Sequence, residues 1–333
     1  MGTISSEFPC KTGDLCFSVN IMNYFEFYQI KHMESWISGV LGTFGFSYNP
    51  GSSSKFFDIS GRNGEFIDFF ARLQSKLKEP LTHTCLEVDE VVIFLKKLHK
   101  SRKLPLIWIN NYYLDYSSFY KISTYWSLVI VLGIESENVT IFDNGIKSIP
   151  FQLFLDAVGK NGYVDLYYSD NGNLNWNVDA NSLIIDGLSM SINCLKTNTI
   201  NENHYKGISG MYYFAEEIDV FCNIHLFTQI NKPGGLTQTR QSMGDLLLIL
   251  TKQFSLFESG ERFQSNNIYF QLASTWRKIG NLIYKYTLVH DNELLERINK
   301  LIYSAIEAEE KGLLILECVV KRLKNKSLLK ENS

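Results

Sequence analysis

Apolar positions in the first half of the chain follow two different spacings. Val19, Met22 and Phe25 recur at helical spacing after Asp14, a residue suited to cap a helix. Residues 88–98 have the spacing of a second helix. Short apolar runs predict strands at 106–109, 128–134 and 139–142, and the turn signal Asp-Asn-Gly follows at 143–145. Together these patterns predict an α+β N-terminal domain over residues 1–170.

The second half of the chain has helical spacing from about residue 180 onwards. Polar breaks separate the predicted helices, which cover residues 182–195, 208–221, 244–257, 269–286 and 293–322. A stretch rich in Asp, Asn and Ser at 168–181 favours a domain boundary there. We therefore expect an all-α C-terminal domain over residues 180–333.

Composition narrows the function classes. The net charge of -3 argues against nucleic-acid binding, which needs a basic face. No apolar run reaches the roughly 20 residues of a membrane span, and the N-terminus does not resemble a secretory signal, so we expect a cytoplasmic protein without membrane contact. The aromatic content of 14% indicates a well-filled core, or alternatively a ligand cavity or a subunit interface such as that of a homodimer.

The six cysteines are scattered along the chain without a Cys-x-x-Cys pair. This spacing favours neither a zinc site nor a disulfide framework, and the histidines form no metal-binding motif. We expect no metal and no cofactor. Cys16 alone has a context that suggests reactivity, because it opens the first predicted helix, where the helix dipole stabilises a thiolate. The alternative is that Cys16 is a small apolar residue on a buried face.

Two predicted strands stand where a papain-like fold would complete a catalytic site. The general base of such folds enters at the start of the first strand, where this chain has Ser127. The orienting group follows the second strand, where Asp143 stands. A hydroxyl is too weak a base near neutral pH, and Cys10 replaces the usual glutamine that donates to the oxyanion. His83 is the one histidine we consider as a relocated base.

Beyond these residues, the chain resembles the butirosin biosynthesis protein H family. The resemblance runs through Cys16, through a glycine-rich segment ending at Tyr48, and through the strands and turn up to Asp143. In the second half it includes residues 207–211 and 273–276. The family joins a papain-like N-terminal domain to a helical C-terminal domain, so the resemblance covers nearly the whole chain.

The resemblance implies an acyl or aminoacyl transferase of specialised-metabolite biosynthesis. Such an enzyme moves an acyl group from a carrier-protein thioester to a small amine through a Cys acyl-enzyme. Cys16 would carry the acyl group, Asp143 would orient the base, and Ser127 would stand at the base position. The family pattern assigns substrate-binding positions to Glu34, Phe46, Tyr48, Asn110 and Tyr113, with Asn110 in place of an aspartate.

Two alternatives remain beside a transferase. Ser127, Cys10 and Asn110 favour a non-catalytic paralogue that binds a metabolite, a carrier protein or a partner subunit. A cysteine hydrolase acting on peptides or amides is the third reading, and the missing base disfavours it. Whether Cys16 is a working nucleophile separates these alternatives.

Overall fold

The computed structural model describes residues 7–331, with gaps at 52–57, 118, 123, 136, 160–161, 198–199, 202–203, 233 and 255–258. The helices are α1 (Cys16–Phe27), α2 (Glu34–Val40), α3 (Phe66–Lys76), α4 (Val88–Lys100), α5 (Phe151–Val158), α6 (Ala180–Lys196), α7 (Gly207–Glu216), α8 (Ile218–Phe221), α9 (Ile224–Asn231), α10 (Leu236–Phe254), α11 (Ser259–Val289) and α12 (Asn292–Glu331). The strands are β1 (Phe44–Asn49), β2 (Asp58–Arg62), β3 (Thr82–Glu87), β4 (Leu106–Asn110), β5 (Trp126–Ile134), β6 (Asn138–Phe142), β7 (Ile146–Pro150), β8 (Tyr163–Tyr168), β9 (Ile200–Asn201) and β10 (His204–Lys206).

The chain folds into two compact units that are not simply its two halves. The first unit contains Met1–Glu34 and Phe66–Val178, and the second contains Ser35–Glu65 and Asp179–Ser333. The boundary between Val178 and Asp179 lies inside the expected stretch. The expected division at residues 1–170 and 180–333 differs from the observed one in residues 35–65, which belong to the second unit because β1 pairs with β10.

The first unit is built on an antiparallel sheet with the order β3-β8-β4-β5-β6-β7. The helix predicted at 88–98 and the three predicted strands are confirmed, and residues 143–145 form the turn between β6 and β7. One detail was wrong: the cap position of α1 is Leu15, which provides no side-chain cap, and not Asp14.

The two faces of this sheet are covered by different helices. Val129 and Val131 of β5 belong to a core that includes Val91 of α4 and Phe154 of α5. On the other face, α1 packs against β5, and α3 contacts Trp108 of β4 through Phe70. Successive residues of a strand point to opposite faces of the sheet. Whether a side chain of β5 faces α4 and α5 or faces α1 and α3 therefore depends on whether its position has the parity of Val129 or the opposite parity.

The second unit combines a small sheet with most of the helices. Its antiparallel strands have the order β2-β1-β10-β9, so the expectation of an all-α C-terminal domain was wrong. The two strands from the C-terminal half, β9 and β10, are two and three residues long, too short for alternation to stand out from helical spacing. Helix α2 beyond Glu34 and helices α6 to α12 make up the rest of the unit, and the helical character of the C-terminal region is confirmed. Among the described residues, no helix has both the length and the apolar character to cross a membrane.

Candidate active site

Cys16 is the first residue of α1 and is partly buried. The helix that follows is buried on all sides from Phe17 to Phe25, including the polar residues Asn20 and Asn23. Its first backbone bond runs from Val19 N to Leu15 O at 2.9 Å. A cysteine at this point lies at the positive end of the helix dipole, which favours the thiolate.

Two buried asparagines of α1 connect the helix to the backbone around it. Asn23 accepts from Lys11 N at 2.8 Å and donates to Lys11 O at 2.8 Å. Asn20 donates to Leu128 O of β5 at 2.8 Å and accepts from Asn144 N at 3.0 Å. These bonds satisfy amides that would otherwise be costly to bury. They also fix α1 against the sheet near the end of β6.

The backbone that leads into Cys16 is held from the other side by Asn144. This side chain accepts from Gly13 N at 2.9 Å and donates to Gly13 O at 2.8 Å. Asn144 has a φ of 48°, a left-handed conformation that Asn tolerates better than most residues. The turn after β6 thus brings Asp143 and Asn144 to the segment that precedes the cysteine.

Glu34 caps the same segment with its carboxylate. Its Oε2 accepts from Asp14 N at 3.1 Å, and its Oε1 accepts from Leu15 N. A Cβ at Gly13 would overlap Glu34 Oε2, so only glycine allows this close approach. The resemblance assigns Glu34 to substrate binding, whereas the structure places it as a cap directly before Cys16. A carboxylate there opposes the thiolate that the helix dipole favours.

Asp143 lies at the end of β6, close to α1. Its carboxylate accepts from the Tyr116 hydroxyl at 3.2 Å and lies beside the Asn20 side chain. Burial raises the pKa of Asp143, although the bonds from Tyr116 and Asn20 oppose the rise. The expected third member of the site is therefore near the cysteine-bearing helix, with a tyrosine as its main donor.

Ser127 lies on the other side of the sheet from α1. It has the strand parity of Val129 and Val131, which pack against α4 and α5. Its hydroxyl accepts from Asn111 Nδ2 at 2.6 Å and is buried. Trp126 has the parity of Leu128 and thus projects from the α1 face. Position 127, where the sequence analysis places the general base, therefore does not face α1, the helix that begins with Cys16.

The three histidines of the first unit each have a hydrogen-bond partner among the described residues. His83, the candidate for a relocated base, binds Asp165 at 2.8 Å and stacks on Tyr167. It lies on β3, three strands from β5, or about 14 Å across the sheet. His99 binds Val131 O at 3.0 Å. His32 accepts from Trp176 Nε1 at 3.0 Å, and burial lowers its pKa to about 4.

The other expected site residues have local structural roles. Asn110 accepts from Tyr112 N at 3.0 Å and caps a 3₁₀ turn that contains Tyr113. Phe46 and Tyr48 lie on β1 in the second unit and are fully buried, with the Tyr48 hydroxyl donating to Glu217 at 2.6 Å. Asp143 and Glu34 are therefore the expected residues that the structure brings to the Cys16 segment.

Sequence reasoning missed Asn20, Asn23 and Asn144, which position that segment. The signal for the first two was present, since two asparagines three residues apart interrupt an otherwise apolar helix. Asn144 was read only as a turn residue. In the described part of the chain, no group of three or more His, Cys, Asp or Glu side chains could hold a metal ion. Comparison with protein-family models and with curated protein sequences finds no match for this chain.

Proposed function

We propose that this chain is an acyl- or aminoacyl-transfer protein on a papain-like N-terminal fold, with Cys16 as the acyl-bearing nucleophile. The observation that carries the proposal is the placement of Cys16 at the start of a buried helix. The segment before it is clamped by Asn23 and Asn144, and Asp143 lies at the adjacent strand end. Holding a reacting atom in a fixed position is a large part of what an enzyme contributes.

The proposed reaction has two covalent steps. The Cys16 thiolate attacks the carbonyl carbon of a carrier-protein thioester, the bond from that carbon to the carrier sulfur breaks, and the carrier leaves as a thiolate that takes a proton from solvent. An amine then attacks the Cys16 thioester. The C–S bond breaks, the amine loses a proton to solvent or to a second amine molecule, and the thiolate is regenerated with an amide as product.

This chemistry tolerates a weak base better than peptide hydrolysis does. A thioester is already activated, and an amine acceptor becomes a good nucleophile once it is deprotonated in solution. An ionised Asp143 would stabilise the positive charge that develops on the amine nitrogen as the neutral amine attacks. Loss of a positioned base still costs a rate factor of roughly 10² to 10⁴. We therefore expect slow turnover with a detectable acyl-enzyme.

A second candidate is a non-catalytic protein that keeps this fold to bind a metabolite or a carrier protein. It is favoured by the Glu34 carboxylate on the two amides before Cys16, because a negative charge there raises the cost of forming a thiolate. The positions of Ser127 and His83 away from α1 point the same way.

The test is mass spectrometry of the intact protein during alkylation by iodoacetamide, from about pH 5 to about pH 9. The wild type is compared with Cys16→Ala and with Cys85→Ala. Cys85 is the matched control because it is exposed, while desolvation and the Asp165 carboxylate raise its pKa. We expect one fast site below pH 7, lost in Cys16→Ala and kept in Cys85→Ala.

The same samples are then incubated with a short-chain acyl-pantetheine thioester. An adduct with the mass of the acyl group on the wild type, absent from Cys16→Ala and released by an added primary amine, would support transfer. Slow alkylation that is the same in the wild type and in Cys16→Ala would overturn the proposal and favour the binding protein.

A further inference from the structure

The segment after β4 brings a tyrosine to the carboxylate at the end of β6. The Tyr116 hydroxyl donates to Asp143 Oδ2 at 3.2 Å. The Tyr116 ring packs against the apolar core to which Val129 and Val131 belong. Packing of the ring therefore holds the hydroxyl in place, and its position does not depend on the hydrogen bond alone.

The Tyr116 hydroxyl keeps its proton over the whole range near neutral pH. Burial raises the pKa of Tyr116 above its ordinary value of 10.0, and the charges of Asp143 and Asp115 raise it further. Tyr116 can therefore only donate to an ionised Asp143. A hydrogen bond donated to the charged form of a carboxyl favours that form over the neutral one.

The groups around Asp143 act against its burial. Burial has the larger effect and raises the pKa of Asp143, whereas the Tyr116 bond, the Asn20 amide and the Lys147 charge lower it. Lys147 of β7 holds its ammonium over the Tyr116 ring, 5.2 Å from the ring centre. Helix α1 contributes the neutral Asn20 and, one turn before it, Cys16. The balance between burial and these neighbours decides at which pH Asp143 becomes ionised.

We propose that Tyr116 is a positioning residue of the Cys16 site, which holds Asp143 in its ionised form and thereby sets the lower pH limit of amine transfer. The inference rests on the proposed function, because the ionised Asp143 is assigned there to the positive charge that develops on the attacking amine. Tyr116 acts through Asp143 and needs no contact with the substrate. Formation of the acyl-enzyme develops no such charge, so it does not need Tyr116.

The first measurement is the titration of Asp143 itself, which requires no activity. Aspartate labelled with ¹³C at the side-chain carboxyl gives one signal for each residue, and the Asp143 signal is the one lost in Asp143→Asn. Tyr116→Phe keeps the packed ring and removes the donor. We expect the midpoint of the Asp143 titration to move to higher pH by about one pH unit in this variant. Tyr112→Phe, an exposed tyrosine of the same segment, is the matched control and should leave the midpoint unchanged.

The second measurement follows the two chemical steps separately. The acyl-enzyme is formed from a short-chain acyl-pantetheine thioester and is then released by excess methylamine, from about pH 5 to about pH 9. The release rate of Tyr116→Phe is divided by that of the wild type at each pH, which cancels the ionisation of the amine. We expect this ratio to be low at the acidic end and to rise towards one, while the rate of acyl-enzyme formation is unchanged. In an Asp143→Asn background, Tyr116→Phe should have no effect on the ratio.

The outcomes distinguish a failure of this inference from a failure of the proposed function. A displaced Asp143 titration together with the pH-dependent ratio would support the role of Tyr116. An Asp143 midpoint that is the same in Tyr116→Phe and in the wild type would overturn that role, whether or not acyl transfer occurs. A ratio that is equal at every pH would also overturn it. A displaced midpoint in a protein whose wild type forms no acyl-enzyme would overturn the proposed function, and with it any role of Tyr116 in amine transfer.

Discussion

At the scale of single residues, two opposing electrostatic effects act on the thiolate form of Cys16. The start of α1 favours the thiolate, and the Glu34 carboxylate on the preceding amides disfavours it. We predict that Glu34→Gln increases the alkylation rate of Cys16 several-fold at pH 7. Glutamine keeps one acceptor oxygen, so the variant removes the charge and retains one of the two bonds that Glu34 accepts from Asp14 N and Leu15 N.

The check is the pH profile of iodoacetamide labelling for the wild type and for Glu34→Gln. A profile displaced to lower pH in the variant is the expected result. Glu34→Ala is the control for the cap, because it removes the charge and the acceptor together and should also lower stability. An unchanged profile in Glu34→Gln would mean that the Cys16 sulfur does not sense this carboxylate.

Asp143 leads to a prediction about stability and pH. Burial raises its pKa above the ordinary value of 3.8, so the folded state binds the proton more tightly than the unfolded state does. The ionised carboxylate therefore costs folding free energy once the pH exceeds about 4, and the cost grows until the folded-state pKa is passed. We predict that Asp143→Asn is more stable than the wild type at pH 7, and that the difference narrows towards pH 4. Urea unfolding of both proteins at several pH values measures this difference in stability. A wild type that is more stable than Asp143→Asn at pH 7 would contradict the prediction.

At the scale of elements, the turn after β6 determines where the start of α1 lies. Asn144 contributes two hydrogen bonds to Gly13 and a left-handed backbone. We predict that Asn144→Ala lowers the free energy of unfolding by about 2–4 kcal/mol, from the lost bonds and the strained φ. Asn144→Gly loses the same bonds without the strain, so it should cost about 1–2 kcal/mol less. Urea unfolding of both variants tests this, and equal losses would show that the backbone conformation contributes little.

The same elements show what the sequence could and could not predict. Strands β4, β5 and β6 were recognisable because each is a short apolar run, and the turn after β6 has a strong local signal. The face of the sheet to which Ser127 points could not be predicted from the sequence. A strand buried on both faces has no alternation of polar and apolar residues to show which side chains point to which face. The cap formed by Glu34 could not be predicted either, because the two amides that its carboxylate binds are twenty and nineteen residues away in the sequence.

At the scale of the whole molecule, the unexpected feature is that residues 35–65 belong to the second unit. Arg240 of α10 is central to that arrangement. It is buried, donates to Glu309 at 2.5 Å, and donates to Gly45 O of β1 at 2.8 Å and Gly61 O of β2 at 3.3 Å. One side chain thus links two helices of the C-terminal region to two strands from the N-terminal half. The composition and the spacing of apolar residues do not predict this contact.

This arrangement predicts which parts of the molecule lose their protection together when Arg240 is replaced. Arg240→Met leaves the Glu309 charge buried without its cation, which should cost the second unit about 3–5 kcal/mol. Hydrogen exchange followed by mass spectrometry should then show faster exchange in peptides from 35–51 and 179–331, while peptides from β4 and β5 keep their protection. Adding Glu309→Leu removes the unpaired charge and should restore much of the protection. If peptides from 35–51 instead kept their protection while α10 and α12 lost it, the N-terminal strands would not depend on Arg240, and the second unit would not unfold as one body.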